Sequence, residues 1–367
     1  MKFAAALRKG FTPLLAVLIV LLAGSVVSAQ LKGYEKAKAQ KEKSQIELFK
    51  NDAVVAAGIA GDSNGQAVIK VFLKKKNTKF LPKKLGTTNV EVEYIGNVTA
   101  WHNNKPRRGK PPKNNGSSPR DRFPRPVPIG VSVGTTTLSY CFAGTMGCRV
   151  KLVDLTNNSV VSRHTLSNNH VYAEENAGLI GVDGILQPGT LDNNCTLDPN
   201  DVIGVLEDFV PIKFNGSANS VDAAIASASA SDVGVSTPNE GWGTPSGQTV
   251  AAFPGQVVQK YGRTTAYTEG TVDSINVTVN VGYDNGTALF QDQIIIRGRR
   301  QRGKRYVSAS FSDGGDSGSL IVDGNNNAVG LLFAGNSTVT IANPINDVLD
   351  AFSDVNNGYI MMIDNGN

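Results

Sequence analysis

The run SFSDGGDSGSLIVDG, residues 310–324, places a serine inside a cluster of glycines. Gly314, Gly315 and Gly318 allow the main chain to turn sharply around Ser317. Such a turn can bring the N–H groups of Gly315 and Ser317 to one point, where they could stabilise a developing oxyanion. These residue types suggest acyl transfer with Ser317 as the nucleophile, and the alternative is an ordinary surface hairpin loop.

A serine nucleophile needs a base, and the chain has 3 histidines. His102 lies in a Pro- and Arg-rich run, and His164 lies inside VVSRHTLS, which has the pattern of a strand. His170 follows that strand in TLSNNHVYAEEN, among polar turn residues that can direct its ring into a cleft. We therefore predict that His170 is the general base, with His164 as the alternative.

A third group must orient the imidazole and stabilise its cation. Asp222, in SANSVDAAIASA, precedes a small apolar run that could form a buried strand. A single Asp in a loop more often only forms a turn, and Asp208 and Asp201 are the alternatives. We predict Asp222 for this role.

The order His170, Asp222, Ser317 resembles that of the trypsin/chymotrypsin-like serine proteases, especially the bacterial secreted members. The likeness covers residues 129–352. The segments that carry it are the family's Gly-Asp-Ser-Gly at 315–318, LSNNH (166–170), DAAIA (222–226), GRTTAYTEGTV (262–272) and VGLLFAG (329–335).

This resemblance implies an all-β fold of two six-stranded β-barrels, with the three side chains in the cleft between them. It implies that Ser317 attacks a peptide carbonyl, and that His170 takes the proton and returns it to the leaving amine. Asp222 would hold the imidazole, and the N–H groups of Gly315 and Ser317 would form the oxyanion hole. It implies no metal and no cofactor.

The resemblance also implies a primary specificity pocket, walled by FSDGG (311–315) and FAG (333–335). Its candidate residues are Phe311, Asp313, Phe333 and Gly335. Phe311 stands where trypsin-type members carry the Asp that selects basic side chains, so we expect an apolar or small preference rather than strict cleavage after Lys or Arg. Activation by a freed N-terminus that reaches Asp316 would require the family's N-terminal sequence at the beginning of the protease domain. RPVPIGVSVG (125–134) resembles that sequence only faintly.

Elements that could position these residues follow from the hydrophobic pattern. From Ile129 onward, strand-length runs alternate with Gly/Asn/Asp turns over about 240 residues, which favours a β-sandwich or a pair of barrels. NPINDVLDAF (343–352) predicts a closing helix, with Asn343 as its N-cap and Pro344 at its first position.

The chain before residue 129 divides into three parts. Residues 1–29 combine a basic start, an apolar run and small residues before Gln30, which predicts a signal peptide cut after Ala29; an uncleaved anchor is the alternative. Residues 30–101 predict a small basic α/β domain with a helix at 34–50 and strands in 53–61, 66–76 and 89–101. Residues 102–128 are a Pro- and Arg-rich linker.

The charge is divided unevenly along the chain. Residues 30–127 hold 21 Lys/Arg against 8 Asp/Glu, whereas residues 128–367 hold 12 against 23. The two parts could be independently solvated, or the basic domain could dock on the acidic one within the same chain. Nucleic-acid binding is not expected, because aromatic residues are not interleaved with the basic tracts. The basic run RGRRQRGKR (297–305) is an exposed hairpin, an anchor for anionic polymers or a self-cleavage site.

Three cysteines, Cys141, Cys148 and Cys195, fit an oxidising compartment with at most one disulfide, in any of three pairings. None has a metal-ligand spacing.

We therefore predict a secreted or periplasmic serine endopeptidase acting on polypeptides, with residues 30–127 as a pro-region plus linker. A catalytically inactive scaffold of the same fold is the alternative. An esterase is weaker, since the α/β-hydrolase motif Gly-x-Ser-x-Gly ends here in Ser319.

Overall fold

A computed structural model describes residues 31–75, 81–100, 118–137 and 141–367. The predicted signal peptide, Trp101 at the end of the predicted α/β domain and residues 102–117 of the linker, with His102, lie outside the described residues. Within the described ranges, no helix has both the length and the apolar character needed to span a bilayer.

The N-terminal segment, residues 31–100, consists of a helix packed on strands. Its elements are α1 (Tyr34–Phe49), β1 (Val54–Gly61), β2 (Ala67–Leu73), β3 (Lys84–Leu85), β4 (Thr88–Tyr94) and β5 (Thr99–Ala100). Ala37 and Leu48 are buried on α1 and contribute to an apolar cluster with Ile59 and Ile69 of the strands. The turn GDSNG joins β1 to β2 as an antiparallel pair.

A first barrel is formed by the next part of the chain. Its elements are β6 (Ser132–Thr135), β7 (Gly144–Thr145), β8 (Cys148–Asp154), β9 (Ser159–Ser167), α2 (Asn169–Tyr172), β10 (Gly184–Leu186), β11 (Val202–Phe209), β12 (Ala218–Asn219) and β13 (Ala224–Ser227). The strands pair in the order β8, β9, β13, β11, β10, β6, β7, while β12 pairs elsewhere. Because β7 and β8 belong to one run, 144–154, whose start pairs with β6 and whose end pairs with β9, six strands close into a ring.

A second barrel follows. Its strands are β14 (Val257–Gly262), β15 (Ala266–Tyr283), β16 (Gly286–Arg302), β17 (Arg305–Ser308), β18 (Leu320–Asp323), β19 (Ala328–Gly335) and β20 (Thr340–Pro344). They pair in the cycle β14, β15, β16, β20, β19, β18 and back to β14, while β17 adds to β16. A second six-stranded ring is thus closed. The predicted all-β double β-barrel is confirmed.

Strands β15 and β16 form a long hairpin, and its far end extends beyond the barrel. The two-residue loop Asp284–Asn285 joins them, with Gly286 at a φ of 134° that favours glycine. Strand β1 pairs with β15 on the edge that the barrel leaves open, so the sheet of the N-terminal segment is continuous with that of the second barrel.

One apolar cluster is shared between the N-terminal segment and the second barrel. Phe72 and Val98 from the segment pack in it with Phe290 and Phe333 from the barrel. The segment is therefore attached by buried apolar surface as well as by main-chain pairing.

The chain end differs from the sequence prediction. The helix α3 (Ile345–Ala351) begins one residue later than expected, because Asn343 and Pro344 still belong to β20. It is followed by β21 (Tyr359–Ile363), which pairs with β8 and so returns to the first barrel. The side chain of Asn343 does not cap the helix.

Two further features tie the first barrel together. Cys141 and Cys195 form the disulfide, which leaves Cys148 as a buried thiol whose pKa is raised by burial. Residues 118–128, which the sequence assigned to the linker, contact the first barrel. For example, Arg122 forms an ion pair of 2.7 Å with Asp201.

Candidate active site

His170 lies at the end of the first barrel's strand β9, in the single turn of α2, and contacts Asp222. Nδ1 of the imidazole and Oδ2 of the carboxylate are 2.5 Å apart, and the main-chain N–H of His170 donates to Oδ1 at 3.2 Å. Both side chains are fully buried. An ionised carboxylate can only accept hydrogen bonds, so a contact with ionised Asp222 requires the proton on Nδ1 and leaves Nε2 as the second ring nitrogen.

Asp222 is fixed from several elements where the chain enters β13. Its main-chain N–H donates to Asn343 Oδ1 at 3.2 Å, and its carbonyl accepts from Asn168 Nδ2 at 2.8 Å. Its carboxylate also accepts a hydrogen bond of 2.8 Å from the hydroxyl of Tyr283. Burial raises the pKa of Tyr283 well above its usual range, with the nearby Asp222 charge adding to the effect, so the phenol is the donor.

Ser317 lies in the nucleophile loop, residues 313–318, which enters β18. Gly315 and Gly318 have φ angles of 93° and 94°, in the region that favours glycine. A Cβ on Gly315 would lie 2.5 Å from Nη1 of Arg263, and one on Gly318 would lie 2.1 Å from the carbonyl oxygen of Thr145. Glycine is therefore required at both positions by conformation and by space.

Main-chain hydrogen bonds within this loop leave two N–H groups for a ligand. The Asp316 N–H donates to the carbonyl oxygen of Asp313, and the Gly318 N–H donates to the carbonyl oxygen of Leu332. Among the described residues, no acceptor bonds the N–H of Gly315 or Ser317. These are the two donors that the sequence assigned to an oxyanion hole.

Asp316 is fully buried beside the nucleophile, and the second barrel supplies its partners. Its carboxylate accepts from the N–H groups of Thr264 and Asp313, and from both the N–H and the hydroxyl of Thr265, at 2.7 to 3.1 Å. Lys260 Nζ, also fully buried, lies 3.6 Å away. Burial lowers the pKa of Lys260, while the Asp316 charge opposes that shift. This carboxylate therefore has a cation and four donors without a freed N-terminus.

The nucleophile loop lies against the part of the first barrel that carries His170. The N–H of Thr145 donates to the carbonyl of Ser317 at 2.8 Å. A Cβ placed on Gly144 would lie 2.7 Å from the Val171 side chain and 3.3 Å from the Ser317 carbonyl oxygen. The residue after His170 and the main chain of Ser317 therefore contact the same glycine across the seam between the barrels.

The Ser317 hydroxyl donates at 3.4 Å to the carbonyl of Phe333, on β19. The ring of Phe333 packs on Phe290 at 4.8 Å between centroids, and Phe311 is buried in the core of the second barrel. Asp313 is partly buried and its carboxylate accepts from the N–H of Gly314. Both phenylalanine rings are thus engaged in apolar packing here, and the specificity pocket stays a prediction.

The alternative residues lie elsewhere. His164 is buried on β9, where its ring contacts Ser162 at 2.8 Å and Glu207 at 2.9 Å. Asp201 forms its ion pair with Arg122, and the exposed Asp208 accepts, among the described residues, from the N–H of Phe209. None of these is joined to His170 by a hydrogen bond within the described residues.

The side chains of the candidate nucleophile and base are buried. Ser317 is 1% exposed and His170 0%. Strand β5 of the N-terminal segment runs antiparallel to the end of β19, pairing Thr99 with Gly335, and on its other side it pairs in parallel with β15. The segment therefore occupies the edge of β19 next to the carbonyl that accepts from Ser317.

Sequence reasoning missed three groups that support the site. Tyr283 and Asn343 contact Asp222, and Glu175 accepts the N–H groups of Asp284 and Asn285 at the tip of the long hairpin. All three come from elements far along the chain from their partners. No local pattern identifies them, although DN before Gly286 does predict the hairpin turn.

The other candidates from the sequence are a metal site and the basic run 297–305. In the described part of the chain, no group of three or more His, Cys, Asp or Glu side chains is placed to hold a metal ion. The basic run 297–305 forms the hairpin β16–β17. Arg297 pairs with Glu93 at 2.8 Å, and Arg299 lies over the Tyr306 ring at 4.1 Å.

Comparisons with known proteins give similarity to solved structures only. No protein-family model and no curated protein matches the chain. Thermobifida fusca protease A is 18% identical, with a TM-score of 0.42 over 65% of this chain and 99% of that one. Cellulomonas bogoriensis chymotrypsin is 20% identical, with a TM-score of 0.39 over the same shares. Nocardiopsis protease is 17% identical, with a TM-score of 0.41 over 64% and 98%. The two closed barrels themselves establish the double β-barrel fold that was expected from the motifs, and the solved structures to which it is similar are bacterial proteases.

Proposed function

We propose that the chain is an exported serine endopeptidase in which Ser317, His170 and Asp222 act together and the N-terminal segment covers the site until it is removed. The observation that carries the proposal is the 2.5 Å contact between His170 Nδ1 and a carboxylate of Asp222 that is itself buried and held by further donors. A structural histidine has no need of a buried charge behind it, whereas a general base does.

In the proposed reaction the Ser317 hydroxyl leaves the Phe333 carbonyl and gives its proton to Nε2 of His170 as it attacks the substrate carbonyl. The imidazolium that forms is stabilised by Asp222, which accepts from Nδ1 and remains ionised. His170 then passes the proton to the leaving amine, and water hydrolyses the acyl-enzyme by the same path in reverse.

The oxyanion of the tetrahedral intermediate would be bound by the N–H groups of Gly315 and Ser317. The loop is held in advance of the reaction, because Asp316 is fully paired and Thr145 Oγ1 donates to the Gly315 carbonyl at 2.8 Å. Donors that are already oriented contribute most to lowering the barrier, since they do not reorganise during the reaction.

The N-terminal segment is proposed as a pro-region. Supporting observations are the pairing of β5 with β19, the shared apolar cluster and the near-complete burial of Ser317 and His170. A polypeptide substrate would add as a strand to the same edge of β19 and so compete with β5. Export follows in this proposal from the signal-peptide pattern of residues 1–29.

Casein hydrolysis tests the proposed activity. The chain is cut in the Lys/Arg-rich linker and freed of the segment, and the native protein is compared with the variants Ser317→Ala and Ser308→Ala. Ser308 is exposed on β17 and is the matched control. We expect hydrolysis by the native and control proteins and a loss of at least 10³-fold in Ser317→Ala. No hydrolysis by the native protein would instead favour an inactive scaffold.

A further inference from the structure

Tyr283 places a phenol next to the proposed catalytic carboxylate from the opposite barrel. Its hydroxyl donates at 2.8 Å to Asp222 Oδ2, the same oxygen that lies 2.5 Å from His170 Nδ1. One carboxylate oxygen therefore has two side-chain donors, one being the imidazole N–H. The sequence places no catalytic signal at this position.

The Tyr283 ring is held on several sides. It lies edge-on to the His170 ring at 6.0 Å between centroids, edge-on to Phe214 at 5.7 Å, and stacked near Phe290 at 6.1 Å. A phenol packed by three rings has little rotational freedom, so its hydroxyl is fixed relative to the carboxylate.

The main chain that carries Tyr283 is also held. The next two residues, Asp284 and Asn285, donate their N–H groups to the two carboxylate oxygens of Glu175 at 3.0 and 2.9 Å. Glu175 follows α2, the turn that bears His170. The hairpin tip is therefore fastened to the same part of the first barrel as the proposed base.

We propose that Tyr283 is a positioning residue for the reaction. Its hydroxyl fixes the orientation of the Asp222 carboxylate and weakens the attraction of that carboxylate for the His170 imidazolium. The inference depends on the proposed function. The His170–Asp222 geometry then depends on a hydrogen bond from the β15–β16 hairpin of the second barrel, in addition to the residues that were predicted from the sequence.

The physical reason is competition for one oxygen. A donor on a carboxylate stabilises its negative charge and reduces its attraction for a second donor. When the phenol is absent, Asp222 attracts the His170 imidazolium more strongly, so the base is neutralised at a higher pH. The carboxylate also becomes less well oriented, and transfer of the proton to the leaving group becomes less efficient.

The test is the pH dependence of peptide hydrolysis by the linker-cut, segment-free chain with Tyr283→Phe, which removes one oxygen and keeps the ring. The control is Tyr267→Phe, at the opposite end of β15 from Tyr283, whose hydroxyl contacts Gln259 of β14 and Glu269 of β15 itself. For Tyr283→Phe we expect kcat to fall about tenfold with KM within twofold, and the acid limb of the profile to move up by about half a pH unit. The control keeps native values.

Among the described residues, the titratable groups that face Tyr283 are Asp222, Glu175 and His170, and its hydroxyl bonds to Asp222. An unchanged kcat and acid limb in Tyr283→Phe, with an active native enzyme, would overturn the role of Tyr283 alone. A native enzyme without activity would overturn the proposed function and this inference with it. Thermal unfolding of both variants reports whether the fold is retained.

Discussion

At the scale of single residues, Asp222 is the group whose surroundings are most specific. It is fully buried and its side chain and main chain together contact His170, Tyr283, Asn168 and Asn343. Burying a carboxylate is costly unless it is paired and hydrogen-bonded. These contacts are what make an ionised group tolerable at the seam between the barrels.

Replacing Asp222 by Asn should therefore nearly abolish turnover. The amide is uncharged, and it can hold the imidazole with Nδ1 as an acceptor, which is the wrong tautomer for a base at Nε2. We expect kcat to fall by about 10⁴-fold at neutral pH. Steady-state peptide hydrolysis measures it, with Asp208→Asn as the control because Asp208 is exposed. Equal losses in both variants would contradict the assignment.

Gly315 is the second position where a small substitution, the addition of one methyl group, should lower kcat strongly. A methyl group there meets Arg263 Nη1 at 2.5 Å and Thr264 Oγ1 at 2.6 Å, and the φ of 93° disfavours alanine. The strain would displace the N–H proposed for the oxyanion hole. We expect Gly315→Ala to reduce kcat by about 10²- to 10³-fold.

Gly324→Ala is the matched control for that substitution, because a Cβ on Gly324 meets no atom within 4 Å. It should keep native kcat. Native activity in Gly315→Ala would show that this N–H does not contribute to the reaction.

Among the elements, β5 is a strand of two residues, and it is the strand of the N-terminal segment that pairs with β19 next to the site. Gly282 N–H, at the hairpin end, donates to the Val98 carbonyl at 3.0 Å. Because polar groups of successive residues in a strand face opposite sides, the N–H of Thr99 faces the other neighbour, Gly335 of β19. Two residues thus bridge the hairpin to the edge where a substrate strand would add.

Thr99→Pro should loosen this cover in the intact chain. Proline removes the N–H that faces Gly335, and a hydrogen bond of this kind contributes about 0.5–1.5 kcal/mol. We expect the uncut protein to react about 3- to 10-fold faster with a serine-directed fluorophosphonate. Thr99→Ser keeps the N–H and should react at the native rate. Equal rates for the proline and serine variants would mean that β5 does not limit access.

At the scale of the whole molecule, the N-terminal segment contacts the second barrel through buried polar groups as well as apolar ones. Lys41 on α1 is 2% exposed, and its Nζ donates to the carbonyl and to Oδ1 of Asn276 at 2.6 and 3.0 Å. Lys70 pairs with Asp273 at 2.8 Å, again across the contact. The wider prediction that opposite net charges dock the two parts stays a prediction.

Lys41 gives this contact a pH dependence. Burial lowers its pKa to about 8, although Asp292 acts in the opposite direction. Between about pH 8 and the unfolded value near 10.4, the unfolded chain holds a proton that the folded chain lacks, so the free energy of unfolding rises with pH. We expect a rise of the order of 1–3 kcal/mol across that window.

The measurement is denaturant unfolding of the full chain carrying Ser317→Ala, with and without Lys41→Met. The difference between the two free energies isolates the lysine, because all other titrating groups are shared. It should change between pH 7.5 and 10 in favour of the chain that keeps Lys41. If the free energies of unfolding of the two chains changed with pH in parallel, Lys41 would not be buried in a charged form below pH 8.

Local sequence signals predicted the parts of the site that are local. The glycines around Ser317 and the position of His170 after a strand could be recognised because each depends on neighbours in the chain. Tyr283 could not, because its role depends on a hairpin reaching from one barrel to the other. The continuity of β1 with β15 was equally hidden, since strand pairing depends on exposed edges and not on the segment's own pattern. The strand β21 was not predicted, because the helix before it was interpreted as the last element of the fold.

The central claim is that the hydroxyl of Ser317 is activated by His170. The most direct test is labelling of the linker-cut, segment-free chain by a serine-directed fluorophosphonate, with the labelled residue located by peptide mass spectrometry. We predict one label, on Ser317, that persists in Ser308→Ala, is lost in Ser317→Ala and forms at least 10³-fold more slowly in His170→Ala. The absence of label on Ser317, or labelling at an undiminished rate in His170→Ala, would contradict it.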